Sequence, residues 1–145
     1  MKKSLQLDPL KAAEDWLKDT TGEIQHRRFQ PIAKRASHFW GLLRQQSNVD
    51  LREICLAGTG SHGKVELEVT VDGRKTAALG VMSQGELFSL ALSLFLPRAT
   101  RDDSPFRFLV IDDPVQSMDP ARVDGLARVL EECAATRQVV VFTHD

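Results

Sequence analysis

The spacing of apolar residues changes twice along this chain, and each spacing predicts a different kind of element. In residues 1–47 apolar side chains recur every three or four positions, which predicts helices. Asp8-Pro9 predicts the start of the first helix, with Asp8 as its N-cap, and Thr20-Thr21-Gly22 predicts its end. A second helix is expected to run to Leu43, with Pro31 in its first turn or at a kink.

Residues 48–80 show a period of two, which is typical of strands with one solvated face. Leu51–Leu56 and Val65–Val71 are the predicted strands, and Asp72-Gly73 is a hairpin turn signal, so we expect a small antiparallel meander. Residues 58–65 nearly match the phosphate-binding P-loop pattern, but Val65 replaces its magnesium-binding hydroxyl and a strand follows instead of a helix. We therefore interpret this run as a glycine-rich hairpin loop.

Residues 81–145 predict alternating helices and buried strands. A helix opens at Ser83, runs to about Leu96 and is closed by Pro97; it is apolar almost all round, which favours deep burial. Phe108–Ile111 and Gln138–Phe142 are apolar runs expected to be parallel strands buried on both faces. Between them a helix should begin at Asp119-Pro120 and bury one face, consisting of Val123, Leu126, Ala127, Leu130 and Cys133.

Carboxylates follow the first of these strands directly. Asp112 and Asp113 end it, and Pro114 cannot continue its ladder. A strand, a helix and a second parallel strand form a βαβ unit, so His144 and Asp145 should emerge at the same sheet edge, where α/β proteins bind ligands. One carboxylate could hold magnesium and the other could orient or deprotonate a water.

A second candidate site lies at Ser83-Gln84-Gly85-Glu86. Ser83 and Glu86 have the spacing of a capping box, which explains them as local structure. Gly85 is not explained that way, because glycine inside a helix costs about 1 kcal/mol relative to alanine. A glycine there allows a close approach to the backbone, and the N–H groups of a helix start attract phosphate, so we expect a phosphate site.

Composition excludes several classes of protein. The chain has 42% hydrophobic and 27% charged residues, which is typical of a globular domain, and a net charge of −1, which predicts no bulk attraction to nucleic acid or membranes. Two cysteines form neither a disulfide framework nor a zinc pattern, and no signal peptide or transmembrane run is visible, so we expect a cytoplasmic protein. Basic residues are concentrated in the first 44 positions, where a solvated helix face is the simpler interpretation and a nucleic-acid contact the alternative.

Taken in order, these motifs resemble the C-terminal half of an ABC-type ATPase head of the SMC- and RecN-like group, which serves chromosome maintenance and DNA repair. Met82–Glu86 resembles the signature motif, Leu109–Asp113 the Walker B strand, Ser117-Met118-Asp119 the D-loop and His144 the switch histidine. The resemblance implies an α/β fold: the C-terminal lobe of a P-loop NTPase head, with a mostly parallel sheet, flanking helices, a small antiparallel meander and N-terminal helices.

Roles for individual residues are also implied by the resemblance. Asp112 would bind Mg²⁺, Asp113 would polarise the attacking water in place of the family's usual glutamate, and His144 would contact the γ-phosphate of ATP. In such dimers the signature helix of one head caps the nucleotide of the other. The residues that would act across this interface are Ser83, Gln84, Gly85, Glu86 and Asp119.

The resemblance further implies partners and a division of the chain. Residues 1–47 would be N-terminal helices at the end of a possible coiled-coil arm, 48–80 a meander and 81–145 the ATPase lobe. The sequence has no complete P-loop, so we expect a fragment or one half of a split head that cannot hydrolyse ATP alone. An N-terminal P-loop-bearing lobe, a second head and DNA are the expected partners, in a cytoplasmic assembly for repair, segregation or phage defence that could associate with the nucleoid.

Two other classes of function remain open from the sequence. Asp112, Asp113, Asp119, His144 and Asp145 at one sheet edge could form a metal-dependent phosphoesterase or nuclease centre, although this leaves Gly85 unexplained. A non-catalytic dimerisation or DNA-binding module would draw on the basic first helices, but the balanced charge argues against strong phosphate binding.

Overall fold

The computed structural model describes residues 7–45, 47–57, 64–76, 80–115 and 118–144. In these ranges the elements are α1 (Leu7–Leu43), β1 (Val49–Ala57), β2 (Lys64–Val71), β3 (Arg74–Thr76), α2 (Gln84–Ala99), β4 (Phe108–Asp112), α3 (Pro120–Ala134) and β5 (Gln138–Phe142). Strands β1, β2 and β3 form an antiparallel sheet, and β4 and β5 pair in parallel. The α/β class is thus confirmed, but the parallel sheet has only two strands in the described residues.

The N-terminal region is one helix of 37 residues, not two. Thr20-Thr21-Gly22 lies within α1, as does Pro31, and Asp8 is in its first turn rather than at an N-cap. Helix propagation is cooperative, so a long helix can absorb the roughly 1 kcal/mol that an internal glycine costs. Although α1 is long, neither it nor another helix in the described ranges is apolar enough over sufficient length to cross a bilayer.

The C-terminal third of α1 is the centre of the core. Phe39 and Leu43 are fully buried against α2, α3 and β4, while Trp40 packs on the antiparallel sheet. The N-terminal part of the same helix is exposed, including Leu10 and Trp16. The first two-thirds of α1 therefore extends away from the rest of the described structure. Within α1, the last turns are the part that contacts both sheets.

Helix α3 crosses α1 at a glycine. A Cβ built on Gly125 would lie 2.2 Å from the carbonyl oxygen of Leu42, so the two backbones approach too closely for any side chain. The buried face of α3 is mostly as predicted, with Leu126 and Cys133 in the core. Ala127 is exposed, however, and Val129 is buried in its place, because α3 is turned so that its glycine faces α1.

The antiparallel meander is confirmed. Asp72 and Gly73 join β2 to β3 with φ angles of 50° and 80°, the left-handed pair that a two-residue hairpin turn requires. Residues 58–63 of the glycine-rich run lie outside the described residues. The next described element after that run is strand β2, which begins at Lys64, and not the helix that a P-loop needs.

Helix α2 differs from the prediction at its end and on one face. Pro97 is inside the helix, which continues to Ala99 and ends where both the N–H and the hydroxyl of Thr100 donate to the Leu96 carbonyl. The buried Leu96 holds this last turn in the core. Phe88 and Phe95 are exposed, so the helix is not buried all round.

The prediction that both parallel strands are buried on two faces is wrong. Leu109 is buried, but Phe108 and Val110 are 51% and 59% exposed, and Phe142 is 57% exposed. The covered face packs on α1 and α3. In the described residues nothing covers the opposite face, which leaves an apolar surface on strands whose composition is that of a sheet interior.

Candidate functional site

The ends of the two parallel strands meet, as the βαβ pattern predicts. Asp112 is opposite Phe142 in the ladder, and the N–H of Asp113 donates to the Phe142 carbonyl at 2.8 Å. The pairing thus continues one residue beyond β4. It places the backbone of Asp113 beside Phe142, two residues before His144.

Asp113 and His144 are in contact. The distance between Asp113 Oδ2 and His144 Nδ1 is 3.3 Å, with the imidazole largely exposed and the carboxylate about three-quarters covered. Asp113 Oδ1 is buried and has no hydrogen-bond partner among the residues that the structure describes. A buried carboxylate oxygen without a partner is costly, so a water, a cation or a ligand proton is expected to satisfy it.

The backbone at Asp113 is in the left-handed region, with a φ of 45°. Aspartate is one of the few residues other than glycine that adopts this conformation, but it still does so at a cost. Such strain is concentrated at binding and active sites, where the position of a side chain matters more than local stability. The turn directs the Asp113 side chain to the histidine.

Asp112 is exposed at the end of β4. A single open carboxylate suits Mg²⁺, which takes one or two protein carboxylates and completes its shell with phosphates and waters. Within the described residues, no three His, Cys, Asp or Glu side chains are grouped as metal ligands. Asp112, Asp113, Asp119 and His144 are thus not grouped as metal ligands in these ranges, and Asp145 is outside the described residues.

The start of α2 is a complete capping box. The Ser83 hydroxyl accepts from the Glu86 N–H at 3.3 Å and donates to Glu86 Oε2 at 2.8 Å, while the Ser83 N–H donates to the same oxygen at 2.8 Å. Ser83 and Gln84 are exposed and Gly85 is buried. A phosphate that binds here would have to compete with Glu86 for the Ser83 hydroxyl.

Glu86 is buried and contacts a third element. Its Oε1 accepts from the hydroxyl of Ser47 at 2.5 Å, and the same hydroxyl accepts from the Val49 N–H at the start of β1. Burial acts to raise the pKa of Glu86, but the hydrogen bonds from Ser47 and Ser83 and the charge of Arg122 together lower that pKa below its ordinary value. The side chain is therefore a carboxylate at neutral pH.

The start of α3 is capped by Asp119, with Pro120 at its first position, as predicted. Asp119 Oδ1 accepts from the Arg122 N–H at 3.1 Å. The Arg122 guanidinium lies between two carboxylates, with Nη2 3.5 Å from Glu86 Oε1 and Nε 3.3 Å from Asp119 Oδ2. Ser117, the first residue of the D-loop-like motif, lies outside the described residues.

The predicted site residues therefore form two groups. Asp112, Asp113 and His144 lie at the sheet edge, and residues 83–86 with Asp119 lie at two helix starts. Sequence reasoning missed Ser47 and Arg122, which connect the second group. The sequence offered one signal for Arg122, which is its position three residues after the N-cap Asp119 on an amphipathic helix. Its buried partner on another helix was not deducible from spacing.

Comparison with protein families gives one match over most of the chain. The family described as "AAA domain, putative AbiEii toxin, Type IV TA system" matches residues 9–145. The chain belongs to this family. No curated protein matches the sequence.

Solved structures of similar fold include heads of SMC ATPases. A structure described as "Structural biochemistry of ATP-driven dimerization and DNA stimulated activation of SMC ATPases" has a TM-score of 0.64 at 22% identity, over 86% of this chain and 73% of the other. The head domain of the Pyrococcus furiosus Smc protein, with an extended coiled coil and the C-terminal domain of ScpA, has a TM-score of 0.68 at 20% identity, over 98% and 35%. The Thermotoga maritima SMC head has a TM-score of 0.54 at 21% identity, over 87% and 42%.

At these identities the likeness shows the fold alone. This chain spans about a third to three-quarters of the length of the structures it matches. Family and fold together confirm the predicted resemblance to part of an SMC-type ATPase head.

Proposed function

We propose that this chain contributes the signature-motif and Walker B side of an SMC-like ATPase head, which binds and hydrolyses ATP at an interface between two heads. The observation that carries this proposal is the Asp113–His144 pair at the carboxyl ends of two parallel strands, with one carboxylate oxygen buried and, in the described part of the chain, unpaired. Ligand chemistry in α/β folds is found at this end of the strands.

Each residue of the first group has a role in this proposal. Asp112 would hold Mg²⁺, which neutralises the charge of the phosphates. Asp113 would orient the attacking water through its unpaired oxygen, and His144, held by Asp113, would donate to the γ-phosphate. Phosphoryl transfer depends mainly on positioning and charge, so a strained but defined Asp113 backbone suits the task.

The second group would act on the nucleotide of a second head. Ser83, Gln84 and Gly85 are at the start of α2, where backbone N–H groups and the helix dipole favour an anion. Glu86 would keep this turn in place, and Asp119 would contact the partner head from the start of α3. Because each site draws on two heads, assembly would act as the switch for hydrolysis.

The remaining partners belong to the same proposal. A P-loop-bearing lobe would complete the site and would cover the exposed face of Phe108, Val110 and Phe142. Residues 1–47, 48–80 and 81–145 would act as arm, meander and ATPase lobe. DNA is proposed as a partner of the full assembly because a similar SMC structure is described with DNA-stimulated activation; the toxin named in the family description is consistent with a role in defence.

The test is ATP turnover by this chain mixed with a candidate P-loop-bearing lobe, for wild type, Asp113→Asn and Ser83→Arg, with Asp102→Asn at an exposed loop as the matched control. Turnover is expected only in the mixture, and loss of the base at Asp113 should reduce it about 100-fold or more. Ser83→Arg should abolish it, and Asp102→Asn should leave it unchanged. Turnover by this chain alone that is lost in Asp113→Asn, or a metal-dependent reaction indifferent to Ser83→Arg, would overturn the proposal.

A further inference from the structure

Arg122 occupies an unusual position for an arginine. It lies in the first turn of α3, is only 8% exposed, and has an acidic group on each side: Glu86 of α2 and Asp119, the cap of its own helix. Its Nε is buried close to the Asp119 carboxylate but is not aligned to donate a hydrogen bond. A buried charge of this kind is kept in place by its partners rather than by water.

Glu86 connects three parts of the chain through its two oxygens. Oε1 accepts from Ser47, at the junction of α1 with the meander, and lies within reach of Arg122. Oε2 accepts from the N–H and the hydroxyl of Ser83. The ends of α1, α2 and α3 that lie nearest to the proposed nucleotide contacts are thus joined by one side chain.

Stability alone does not account for such a pair. Replacing a buried ion pair by well-packed apolar residues is often neutral or stabilising, since the desolvation of two charges offsets their attraction. What the pair supplies is defined geometry, because the planar guanidinium has fixed donor directions. Here that geometry sets the start of α2 relative to the start of α3.

We propose that Arg122 is a positioning residue that holds the starts of α2 and α3 in one arrangement, so that Ser83 and Asp119 reach a second head together. This inference rests on the proposed function. Ser47 attaches the end of α1 to the same unit through Glu86. Loss of Arg122 should leave ATP binding within the head intact and should impair the step in which two heads act together.

The test uses the head assembled from this chain and a P-loop-bearing lobe. Arg122→Gln is compared with Arg128→Gln, which removes an exposed arginine of the same helix that pairs with Asp124. For Arg122→Gln, the affinity for a fluorescent ATP analogue should stay within about twofold, while kcat per ATP-bound head falls about tenfold, which corresponds to about 1.4 kcal/mol. The head concentration at half-maximal activity should rise. Arg122→Lys, which retains the charge, should recover part of the rate.

A merely structural role would give a different result. It would lower the number of ATP-binding heads and the total rate in proportion, so kcat per bound head would stay the same. Values for Arg122→Gln equal to those for Arg128→Gln would overturn the inference. If Arg122→Gln does not fold, Ser47→Ala and Arg122→Lys replace it; an unchanged kcat per bound head in both would overturn it as well.

One variant separates this inference from the proposed function. If Ser83→Arg abolishes turnover while Arg122→Gln is normal, only the positioning role is wrong. If Ser83→Arg is fully active, no step across an interface exists and both proposals fail.

Discussion

Two of the acid–base pairs in the described residues, Glu86 with Arg122 and Asp113 with His144, are built in opposite ways. Glu86 and Arg122 are about 90% buried, and both oxygens of the glutamate have hydrogen-bond donors. Asp113 and His144 meet at the sheet edge, with the histidine 77% exposed and one aspartate oxygen without a partner in the described ranges.

The difference separates a pair that fixes structure from one that is available for chemistry. Both oxygens of Glu86 already accept hydrogen bonds, and its helix is in a relaxed, capped conformation. Asp113 has an unused acceptor and a left-handed backbone. Polar groups that are fully satisfied make a protein rigid, whereas a buried acceptor without a partner is where a water or a cation can bind.

The largest expected effect comes from removing one member of the buried pair. Arg122→Leu leaves Glu86 buried and charged, which should cost about 3–5 kcal/mol in the free energy of unfolding. His144→Ala at the open pair should cost at most about 1 kcal/mol. Urea unfolding of both variants measures this, with Glu86→Met combined with Arg122→Leu expected to regain much of the loss. Equal losses for the two single variants would show that the pairs do not differ.

Next is the backbone strain at Asp113. Asp113→Gly allows the positive φ without cost, whereas Asp113→Ala removes the same carboxylate but keeps the strain. The glycine variant should be more stable than the alanine variant by about 1 kcal/mol. Thermal unfolding of the two proteins tests this, and both should lack ATP turnover in the assembled head. A more stable alanine variant would mean that the left-handed turn is not strained.

A third prediction concerns pH and the buried pair. The pKa of Glu86 is lowered in the folded state, so its contribution to stability is present above the ordinary value of 4.5 and is lost as the pH falls through the folded pKa. Wild type should therefore be more stable than Glu86→Gln at neutral pH, by an amount that shrinks in acid. Denaturant unfolding at a series of pH values measures this difference. If the difference is the same in acid as at neutral pH, Glu86 is not held as a carboxylate.

The smallest effect should distinguish the pairs by their response to salt. Between about 0.1 M and 1 M salt the screening length falls from about 10 Å to about 3 Å, which weakens exposed pairs much more than buried ones. The coupling free energy between Asp113 and protonated His144, measured by a double-mutant cycle, should fall by a few tenths of a kcal/mol. The coupling free energy between Glu86 and Arg122 should not change. Loss of coupling in the buried pair would indicate that water enters it.

The features that could be predicted from the sequence are local. The turn at Asp72-Gly73, the capping box of Ser83 and Glu86 and the cap at Asp119 depend on neighbouring residues, and all were predicted correctly. The contact between Asp113 and His144 agrees with the βαβ geometry that the pattern predicts. These features need no knowledge of how the helices pack.

The packing between distant elements escaped prediction. The hydrogen bond of Ser47 to Glu86 spans 39 residues, and the near-contact of Gly125 with the Leu42 backbone depends on how two helices cross. Apolar composition also predicted the wrong burial for Phe108 and Val110. It shows that a strand face is suited to being covered, but not whether the described part of this chain contains the element that would cover it. The length of α1 could not be predicted for a similar reason. Helix formation is cooperative, and α1 continues through Thr20-Thr21-Gly22 although these residues are poor helix formers.

The unsupported length of α1 has a mechanical consequence. At 1.5 Å per residue the helix is about 55 Å long, and roughly 30 Å of it, residues 8–28, has little cover from the rest of the described protein. The helix is held in the core by the segment around Phe39 and Leu43. This segment is close to Ser47, which is hydrogen-bonded to Glu86. A tilt of about 10° about that segment would displace the N-terminal end of this stretch by about 8 Å. Small changes in the angle of α1 at its packed C-terminal end therefore become larger displacements at its exposed N-terminal end.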